Sequence, residues 1–545
     1  MSKYSIGIDF GTLSGRATVV DIATGDEIAT SVCEYKHGVM SKTFLNGVSL
    51  PPDYALQHPQ DYIDVLCFVL KECIDIANIS TDDVVGIGVD FTASTILPVA
   101  EDGTPLCFFD EYKENPHAYA KLWKHHAAQK EADEINNLAK KTGAKWLSRY
   151  GGTISSEWLF PKVLQILRED KSVYDDTSRF IEAGDWIVWY LTGEETHSIC
   201  TTGFKAIWNE ENGYPDKDFL SQLAPEFVDI IGTKISTNIT KLSAPAGYIT
   251  GKVAELTGLK EGTPVMPAFI DAHAALPALG IVASGELLMI IGTSTCHIML
   301  GNKEVNIPGI SGCVKDGIID GMYAYEAGQS CVGDSFDWFV KNCVPKSYFE
   351  EADKLGMNIH KYLRNKAKLL PPGSNGLLAL DWWNGNRTPY VNGDLTGMIV
   401  GLDIHTLPEE IYRALIEATA YGTKRIIEIY EENGIKIEKL YAAGGIAEKD
   451  ELLMQIYADV TEREIYISGT SQACAYGSAV LGAVNKNGYT DIKEASKNMK
   501  KVKEIVFKPN PINSCAYNEL YASYKVLSEF FAEKGIMKML KSLKQ

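Results

Sequence analysis

Residues 6–12 read IGIDFGT, and residues 289–295 read MIIGTST. Each stretch is an apolar run that ends in Gly-Thr, and a second apolar run follows at once: ATVVD after Arg16 and HIML after Cys296. A glycine turn between two strands leaves backbone N–H groups exposed because no Cβ shields them, and neighbouring hydroxyls add further donors. One copy alone is typical of an ordinary hairpin. Two copies, each at the start of a β-rich half, favour a phosphate clamp between two related domains.

The residues around the first turn exclude two familiar phosphate-binding loops. The stretch DFGTLSGR is followed by a strand and has no Lys after its glycine, so it is neither a P-loop nor a dinucleotide fingerprint. The stretch GIGVDF, which starts at Gly86, begins like GxGxxG but has Phe91 where the last glycine belongs. This second stretch therefore predicts a buried strand and no nucleotide site.

Bulk properties narrow the class of protein. At 545 residues the chain is longer than one hydrophobic core usually supports, so two domains are expected. The formal charge of 52 − 71 = −19 disfavours nucleic acid as a partner. The opening MSKYSIGIDF does not resemble a signal peptide, and no uninterrupted apolar stretch is long enough to span a bilayer. Eleven scattered cysteines without a CxxC pair argue against a zinc site or a disulfide framework and favour the cytoplasm.

Short β-rich runs alternate with helical patterns along the chain, which is typical of an α/β protein. The β-rich opening recurs from Gly285, so a boundary near LPALGIVASGE predicts an N-terminal domain of residues 1–282 and a C-terminal domain of residues 283–545. In the middle region, residues 117–143 have the spacing of one long amphipathic helix. The final fifty or so residues are charged and helical, without a recognisable motif.

Two aspartates follow apolar runs and are candidates for chemistry. Asp9 precedes the first Gly-Thr turn, and the matching position of the second copy is Ile290. Since Mg²⁺ is usually held by one or two carboxylates together with phosphate oxygens, only one copy needs the acid. Asp271 lies between an apolar strand and a small-residue helix in FIDAHAALPALG. It either caps the helix or acts as a general base at the carboxyl end of a strand, and the residues alone leave both readings open.

A pair of glycines marks a fourth element. Gly444 and Gly445 follow the apolar run LYAA and precede a strongly helical stretch. Paired glycines allow a flat ligand such as adenine to lie against the backbone, although a turn that leads into a helix has the same pattern.

Together these motifs resemble those of the FGGY carbohydrate kinases, in family order from about residue 4 to 485. IGIDFGT is similar to the first phosphate motif of that family, IIGTSTC to the second, and AAGGIAEKDELLMQIYADV to the adenosine motif. The resemblance implies an α/β fold of two actin/hexokinase/Hsp70-like (ribonuclease H-like) ATPase domains with a cleft between them. It also implies ATP and Mg²⁺ as cofactors and a small-molecule sugar as substrate. A homodimer is one option for the assembly.

The resemblance also implies roles for individual residues. Asp271 would be the catalytic base and would hold Mg²⁺ together with Asp9. The ATP- and phosphate-binding residues would be Gly11, Thr12, Gly292, Thr293, Ser294, Gly444 and Gly445. The residues at the sugar would be Ala93, Trp123, Lys205, Asp271 and Glu326. For Trp123 a place in the core, and for Lys205 a surface charge, are the alternatives that each residue suggests by itself.

The implied reaction is ATP-dependent phosphorylation of a ketopentose to ribulose 5-phosphate in L-arabinose catabolism. L-Ribulose is the expected substrate, and the preference between D- and L-ribulose stays open. The motifs DFGTLSGRATVVD and DWWNGNRTPY favour this sugar, and Ala93-Ser94 stands where glycerol kinases tend to have Arg-Glu. The alternatives are a kinase for xylulose or another polyol, a non-kinase ATPase of the actin/Hsp70 fold, and a sugar-sensing module without catalysis.

Overall fold

Two seven-stranded sheets, one in each half of the chain, dominate the computed structural model, which describes residues 2–543. The strands of the first half are β1 (Tyr4–Phe10), β2 (Ser14–Asp21), β3 (Glu27–Glu34), β4 (Leu56–Gln57), β5 (Val84–Phe91), β6 (Ile96–Val99), β7 (Ala120–Lys121), β8 (Arg179–Glu182), β9 (His197–Ser198), β10 (Ile239–Thr240), β11 (Gly247–Tyr248), β12 (Pro264–Val265) and β13 (Phe269–Ile270). Those of the second half are β14 (Glu286–Ile291), β15 (Thr295–Gly301), β16 (Gly312–Lys315), β17 (Tyr323–Gln329), β18 (Leu378–Leu380), β19 (Met398–Val400), β20 (Lys439–Ala443), β21 (Ile465–Ser468) and β22 (Val502–Phe507).

Helices cover the sheets and fill the spaces between them. The first half carries α1 (Pro59–Ala77), α2 (Gln129–Thr142), α3 (Leu159–Glu169), α4 (Lys171–Asp176), α5 (Ala183–Thr192), α6 (Ile199–Lys205), α7 (Lys217–Leu223), α8 (Ile230–Thr233), α9 (Gly251–Thr257) and α10 (Asp271–Ala278). The second half carries α11 (Gly333–Cys343), α12 (Lys346–Lys354), α13 (Ile359–Ala367), α14 (Pro408–Glu432), α15 (Gly445–Lys449), α16 (Glu451–Thr461), α17 (Ala473–Gly482), α18 (Ile492–Met499), α19 (Pro511–Glu533) and α20 (Ile536–Ser542). Within residues 2–543, no helix is long and apolar enough to cross a membrane.

Both large sheets begin with the same unit, which confirms the predicted α/β class and the repeated β-led opening. Strands β1, β2 and β3 pair antiparallel in succession, and β5 lies parallel to β1 on its other side. In the second half β14, β15 and β17 pair antiparallel, and β20 lies parallel to β14. Each Gly-Thr turn joins the first two strands of its unit.

Helix α17 belongs to the second half of the chain but packs on the sheet of the first. A Cβ at Gly7 of β1 would lie 1.8 Å from the carbonyl oxygen of Ala475, and one at Gly88 of β5 would lie 1.9 Å from that of Ser478. Because Gly7 and Gly88 have no Cβ, the backbone of α17 can lie directly against these strands. Because the two halves interleave here, a domain boundary at residue 282 stays a prediction.

Helices α10 and α17 meet between the two sheets. A Cβ at Gly477 would lie 1.6 Å from the carbonyl oxygen of Ala274, so the helices touch backbone to backbone. One buried cluster contains Ala274 and Ala479 of these helices together with Val85 of the first sheet and Leu288 of the second. The small residues that follow Asp271 in the sequence thus form the joint between the halves.

The predicted long helix over residues 117–143 is wrong in its first half. The α-helix is confined to Gln129–Thr142, and the stretch begins in a short 3-10 helix, Pro116–Ala118. Between them Ala120–Lys121 forms β7 and pairs with both β4 and β6. Tertiary pairing overrides the helical spacing here, because these residues enter a buried four-stranded sheet with β8.

Tyrosines on its inner face hold α19, the long helix that precedes the last helix of the chain. The Tyr524 hydroxyl donates to Asp381 Oδ1 at 2.8 Å, and the Tyr517 hydroxyl donates to Glu417 Oε1 at 3.1 Å. The tail therefore packs on the second half as an integral part of its core.

Candidate active site

Three aspartates come together where neighbouring parallel strands end. Asp9 near the end of β1 stands opposite Asp90 of β5 in the parallel register, and Phe269 of β13 stands opposite Asp90 on the other side. Asp271 follows β13 directly and begins α10. The carboxyl ends of parallel strands are where α/β proteins place ligands, and here they gather three carboxylates.

Burial and mutual repulsion raise the pKa values in this cluster. Burial, followed by the charge of Asp9, raises the pKa of Asp271 to about 7. Burial and the Asp9 charge also raise the pKa of Asp90 well above its usual range. Burial raises the pKa of Asp9 as well, although Arg16, with its Nε 3.4 Å from the carboxylate, opposes that shift. Near neutral pH these three carboxyl groups can therefore take up a proton or bind a cation.

Asp90 is a site residue that the sequence reading did not single out. Its Oδ2 accepts a hydrogen bond of 2.6 Å from the Ser478 hydroxyl of α17, and its Oδ1 has no partner within the described residues. The available signal was the likeness of GVDF, which ends β5, to GIDF, which ends β1. Both strands bring an acid to the same edge of the sheet.

The first Gly-Thr turn is anchored to the cleft wall. The Gly11 N–H donates to the Ser14 carbonyl at 3.0 Å, which closes the turn. The Thr12 carbonyl accepts from Gln57 Nε2 at 2.8 Å, and its hydroxyl accepts from the Trp123 indole N–H at 3.1 Å. The structure therefore brings Trp123 to the first Gly-Thr turn.

The second Gly-Thr turn lies against the paired glycines. The Gly292 N–H donates to the Ser294 carbonyl at 2.9 Å, and Thr293 is exposed between them. Gly444 has φ +98°, and a Cβ there would lie 2.5 Å from the Ile291 carbonyl oxygen. By contrast, no atom would lie within 4 Å of a Cβ at Gly445. Only glycine fits at residue 444, whereas residue 445 borders open space next to the turn.

Lys205 and Glu326 form a buried ion pair across the two halves. Lys205 Nζ of α6 lies 3.0 Å from Glu326 Oε2 of β17, and His273 Nε2 donates to the same oxygen at 3.1 Å. Burial alone raises the pKa of Glu326, but Lys205 and His273 outweigh it and hold that pKa below its usual range. Burial lowers the pKa of His273, which is consistent with a neutral ring. Lys205 is thus not a surface charge.

Two further positions complete the wall of the site. Ala93 lies two residues after β5, partly buried against the cluster between the halves. Arg387, which the sequence reading did not select, packs its Cδ 3.1 Å from where a Cβ of Gly328 would stand, next to the strand that carries Glu326. It lies in the loop after β18, within the motif DWWNGNRTPY, and that motif was the signal that could have selected it.

The donor set fits a magnesium ion that is shared with phosphates. Asp9 and Asp271 offer carboxylates at one edge of the sheet, and Asp90 adds a buried oxygen without a partner in residues 2–543. Within that part of the chain no group of three or more His, Cys, Asp or Glu side chains is placed to hold a metal ion, so Asp9, Asp90 and Asp271 do not form a complete metal site by themselves. Magnesium commonly takes one or two carboxylates and completes its shell with water and phosphate oxygens.

Comparison with known proteins identifies the two halves separately. Residues 4–278 match the N-terminal domain of the FGGY family of carbohydrate kinases, and residues 287–485 match its C-terminal domain. The ribulokinase of Bacillus licheniformis is 50% identical over 538 residues, which cover 98% of this chain and 98% of that protein. The ribulokinase of Anoxybacillus flavithermus is 48% identical over an alignment of 550 residues, which covers 100% of this chain and 97% of that protein.

A solved structure supports the same fold. Xylulose kinase from Rhodospirillum rubrum superposes with a TM-score of 0.79 and covers 97% of this chain and 99% of its own, at 21% identity. Since this identity is low, the match concerns the fold alone, and it confirms the predicted α/β fold.

Proposed function

Because the chain belongs to the FGGY family of carbohydrate kinases, we propose that it phosphorylates ribulose, with L-ribulose as the main substrate and ATP as the donor. The observation that carries the choice of sugar is the full-length likeness to proteins named ribulokinase. The product would be ribulose 5-phosphate, formed during the breakdown of L-arabinose. The cytoplasm, where ATP is available, is the proposed location.

Asp271 is the proposed general base. Its carboxylate takes the proton from the terminal hydroxyl of the sugar while that oxygen forms a bond to the γ-phosphorus of ATP. The bond between the γ-phosphorus and the bridging oxygen breaks, and ADP leaves with its electrons. The position of Asp271 beside the acids of β1 and β5, with its pKa raised to about 7, supports this role.

Asp9 and Asp271 would hold Mg²⁺, which when bound supplies positive charge beside the phosphates. The proposed phosphate ligands, on opposite sides of the cleft, are the hydroxyls of the two Gly-Thr turns and the N–H groups that follow Gly11 and Gly292. The N–H groups of these two glycines themselves close the turns. Gly445, which borders open space beside the second turn, is proposed to lie against the nucleotide.

The sugar is proposed to lie between Ala93 and the Lys205–Glu326 pair. The short side chain of Ala93 leaves room for a ketose next to Asp271, and the buried ion pair offers both donors and acceptors to hydroxyl groups. Trp123 is proposed to close the same pocket from the side of the first turn.

The nearest alternative is a kinase for xylulose or another polyol, and a substrate panel separates the two. In a coupled assay of ADP release, we expect L-ribulose to give a higher kcat/KM than D-xylulose and glycerol, with D-ribulose included to measure stereochemical preference. A larger kcat/KM for xylulose or glycerol would contradict the proposed substrate.

A non-kinase ATPase is the alternative of a different class. Asp271→Asn is expected to lower sugar phosphorylation by about three or more orders of magnitude, because the base is lost, while ADP binding measured by calorimetry is kept. Asp82→Asn makes the same change of carboxylate to amide at an exposed site just before the start of β5, at the opposite end of that strand from Asp90, and serves as the control. Sugar-dependent ADP release that survives Asp271→Asn would contradict the proposed role of this residue.

A further inference from the structure

A fully buried lysine lies behind the proposed sugar pocket. Lys162 of α3 has no exposed surface, and its Nζ donates to three carbonyl oxygens: Ser94 at 2.6 Å, Leu122 at 2.9 Å and Lys121 at 3.0 Å. Three acceptors require three N–H donors, which only the charged ammonium provides. A buried charge is costly unless hydrogen bonds compensate for the lost water. The three hydrogen bonds of Lys162 do so, and they fix the positions of the two segments that it joins.

The counter-charge is Glu182, at the end of β8. Its Oε2 accepts a hydrogen bond of 3.0 Å from the Thr95 N–H, and its Oε1 has no partner within the described residues. The Ser94 carbonyl and the Thr95 N–H belong to one peptide group. Lys162 therefore holds that group by its oxygen, and Glu182 holds it by its nitrogen.

The clamped peptide has an unusual backbone conformation. Ser94 has φ +56°, a left-handed value that costs a non-glycine residue roughly 1–2 kcal/mol. The clamp explains how the loop after β5 keeps this conformation, and the residue immediately before it is Ala93 of the proposed sugar pocket.

The second chain that Lys162 binds leads to the other wall of the pocket. The carbonyls of Lys121 and Leu122 immediately precede Trp123, whose indole N–H donates to Thr12 of the first phosphate turn. The ammonium group of Lys162 thus joins the loop that contains Ala93 and Ser94 to the segment that leads into Trp123, and it sets the spacing between them.

We propose that Lys162 and Glu182 are positioning residues that fix the two walls of the sugar pocket and so determine affinity for the ketose. This proposal rests on the proposed function of the same site. Neither residue is expected to touch the sugar or the phosphates. Loss of the clamp would let the Ser94–Thr95 peptide rotate and the walls separate.

The test compares Lys162→Met with Lys424→Met. Both lysines are buried, but Lys424 lies on α14 in the second half, where its Nζ donates to Asn518 Oδ1 at 2.6 Å and lies 3.3 Å from Glu462 Oε1, so it binds neither pocket loop. We expect Lys162→Met to raise the KM for L-ribulose about ten-fold or more and to change the KM for ATP less than about threefold. Lys424→Met is expected to lower Tm, because Asn518 and Glu462 lose their partner, with little change in either KM.

A second variant separates pocket geometry from stability. Lys162→Met removes the positive charge nearest to Glu182, a buried carboxyl whose pKa burial already raises to about 8, so the double variant Lys162→Met/Glu182→Gln should recover part of the Tm. Its KM for L-ribulose should stay high because the carbonyls still lack their donor. If Lys162→Met alone does not fold, the double variant and the milder Glu182→Gln carry the same comparison.

Two results would overturn the inference: a normal KM for L-ribulose in the clamp variants, or KM values that follow Tm across all variants, Lys424→Met included. The wild-type assay tests the proposed function separately. If the wild type does not phosphorylate ribulose, the proposed function fails. If the wild type is active and the Lys162 and Glu182 variants keep its KM for L-ribulose, only the clamp is contradicted.

Discussion

At the scale of single residues, the ionisation of Asp271 decides when the proposed base can act. Burial and the charge of Asp9 raise its pKa from 3.8 to about 7, so the carboxylate form becomes dominant only above that pH. Since a base must be deprotonated to act, activity is expected to rise with pH and to level off once Asp271 is ionised.

The corresponding measurement is the pH profile of kcat/KM for L-ribulose. We expect an acid limb of unit slope that ends near pH 7, the value of the raised pKa. Asp9→Asn removes the neighbouring negative charge, so its residual activity should have an acid limb at lower pH. A profile that is flat from about pH 5 to 8 would contradict a base with a raised pKa.

Candidate site residues that lie at the ends of strands could be selected from the sequence. Asp9 and Asp271 could be selected because each follows an apolar run, and the structure places both at one edge of the sheet. The partner of Lys205 could not be predicted, since Glu326 lies 121 positions away and only the packing of the two halves joins them. The same holds for Lys162, whose acceptors are backbone carbonyls of two distant loops.

At the scale of secondary-structure elements, glycines decide how closely α10 and α17 pack. A Cβ at Gly477 would lie 1.6 Å from the Ala274 carbonyl oxygen, and the helix backbones cannot separate without opening the joint between the halves. Gly477→Ala is therefore expected to destabilise the protein by roughly 1–3 kcal/mol or more through overpacking.

Thermal unfolding measures this effect against a matched control. Gly393→Ala adds the same methyl group where nothing lies within 4 Å, so its Tm should stay close to that of the wild type. Equal Tm values for the two variants would show that the joint tolerates separation and would contradict the packing described above.

Elements that depend on local pattern were predicted, and those that depend on tertiary pairing were not. The strands around both Gly-Thr turns follow from their apolar runs and turn chemistry. Residues 117–128 have helical spacing, yet β7 within them pairs with β4 and β6. Likewise, the glycines of GIGVDF are explained only by a helix almost 400 residues away in the chain, which no local pattern indicates.

At the scale of the whole molecule, the repeated unit places one Gly-Thr turn in each half. A nucleotide held by both turns and a sugar held by the Lys205–Glu326 pair would tie the halves together, since each ligand is bound from two sides. Closure around both ligands would exclude water and so suppress wasteful hydrolysis of ATP.

Small-angle scattering tests this closure. We expect the radius of gyration to decrease when L-ribulose and a non-hydrolysable ATP analogue are added together, and to change less with either alone. Asp271→Asn keeps the proposed ligands of the phosphates and should still compact. An unchanged radius with both ligands bound would argue against closure.

The central claim is that Asp271 is the base that activates the terminal hydroxyl of a ketose toward ATP. The most direct measurement is a crystal structure of the wild type with L-ribulose, Mg²⁺ and a non-hydrolysable ATP analogue. We predict that a carboxylate oxygen of Asp271 lies about 2.6–3.2 Å from the terminal hydroxyl oxygen, with the γ-phosphate on the far side of that oxygen. A bound ketose with the Asp271 carboxylate directed away from its terminal hydroxyl would contradict the account.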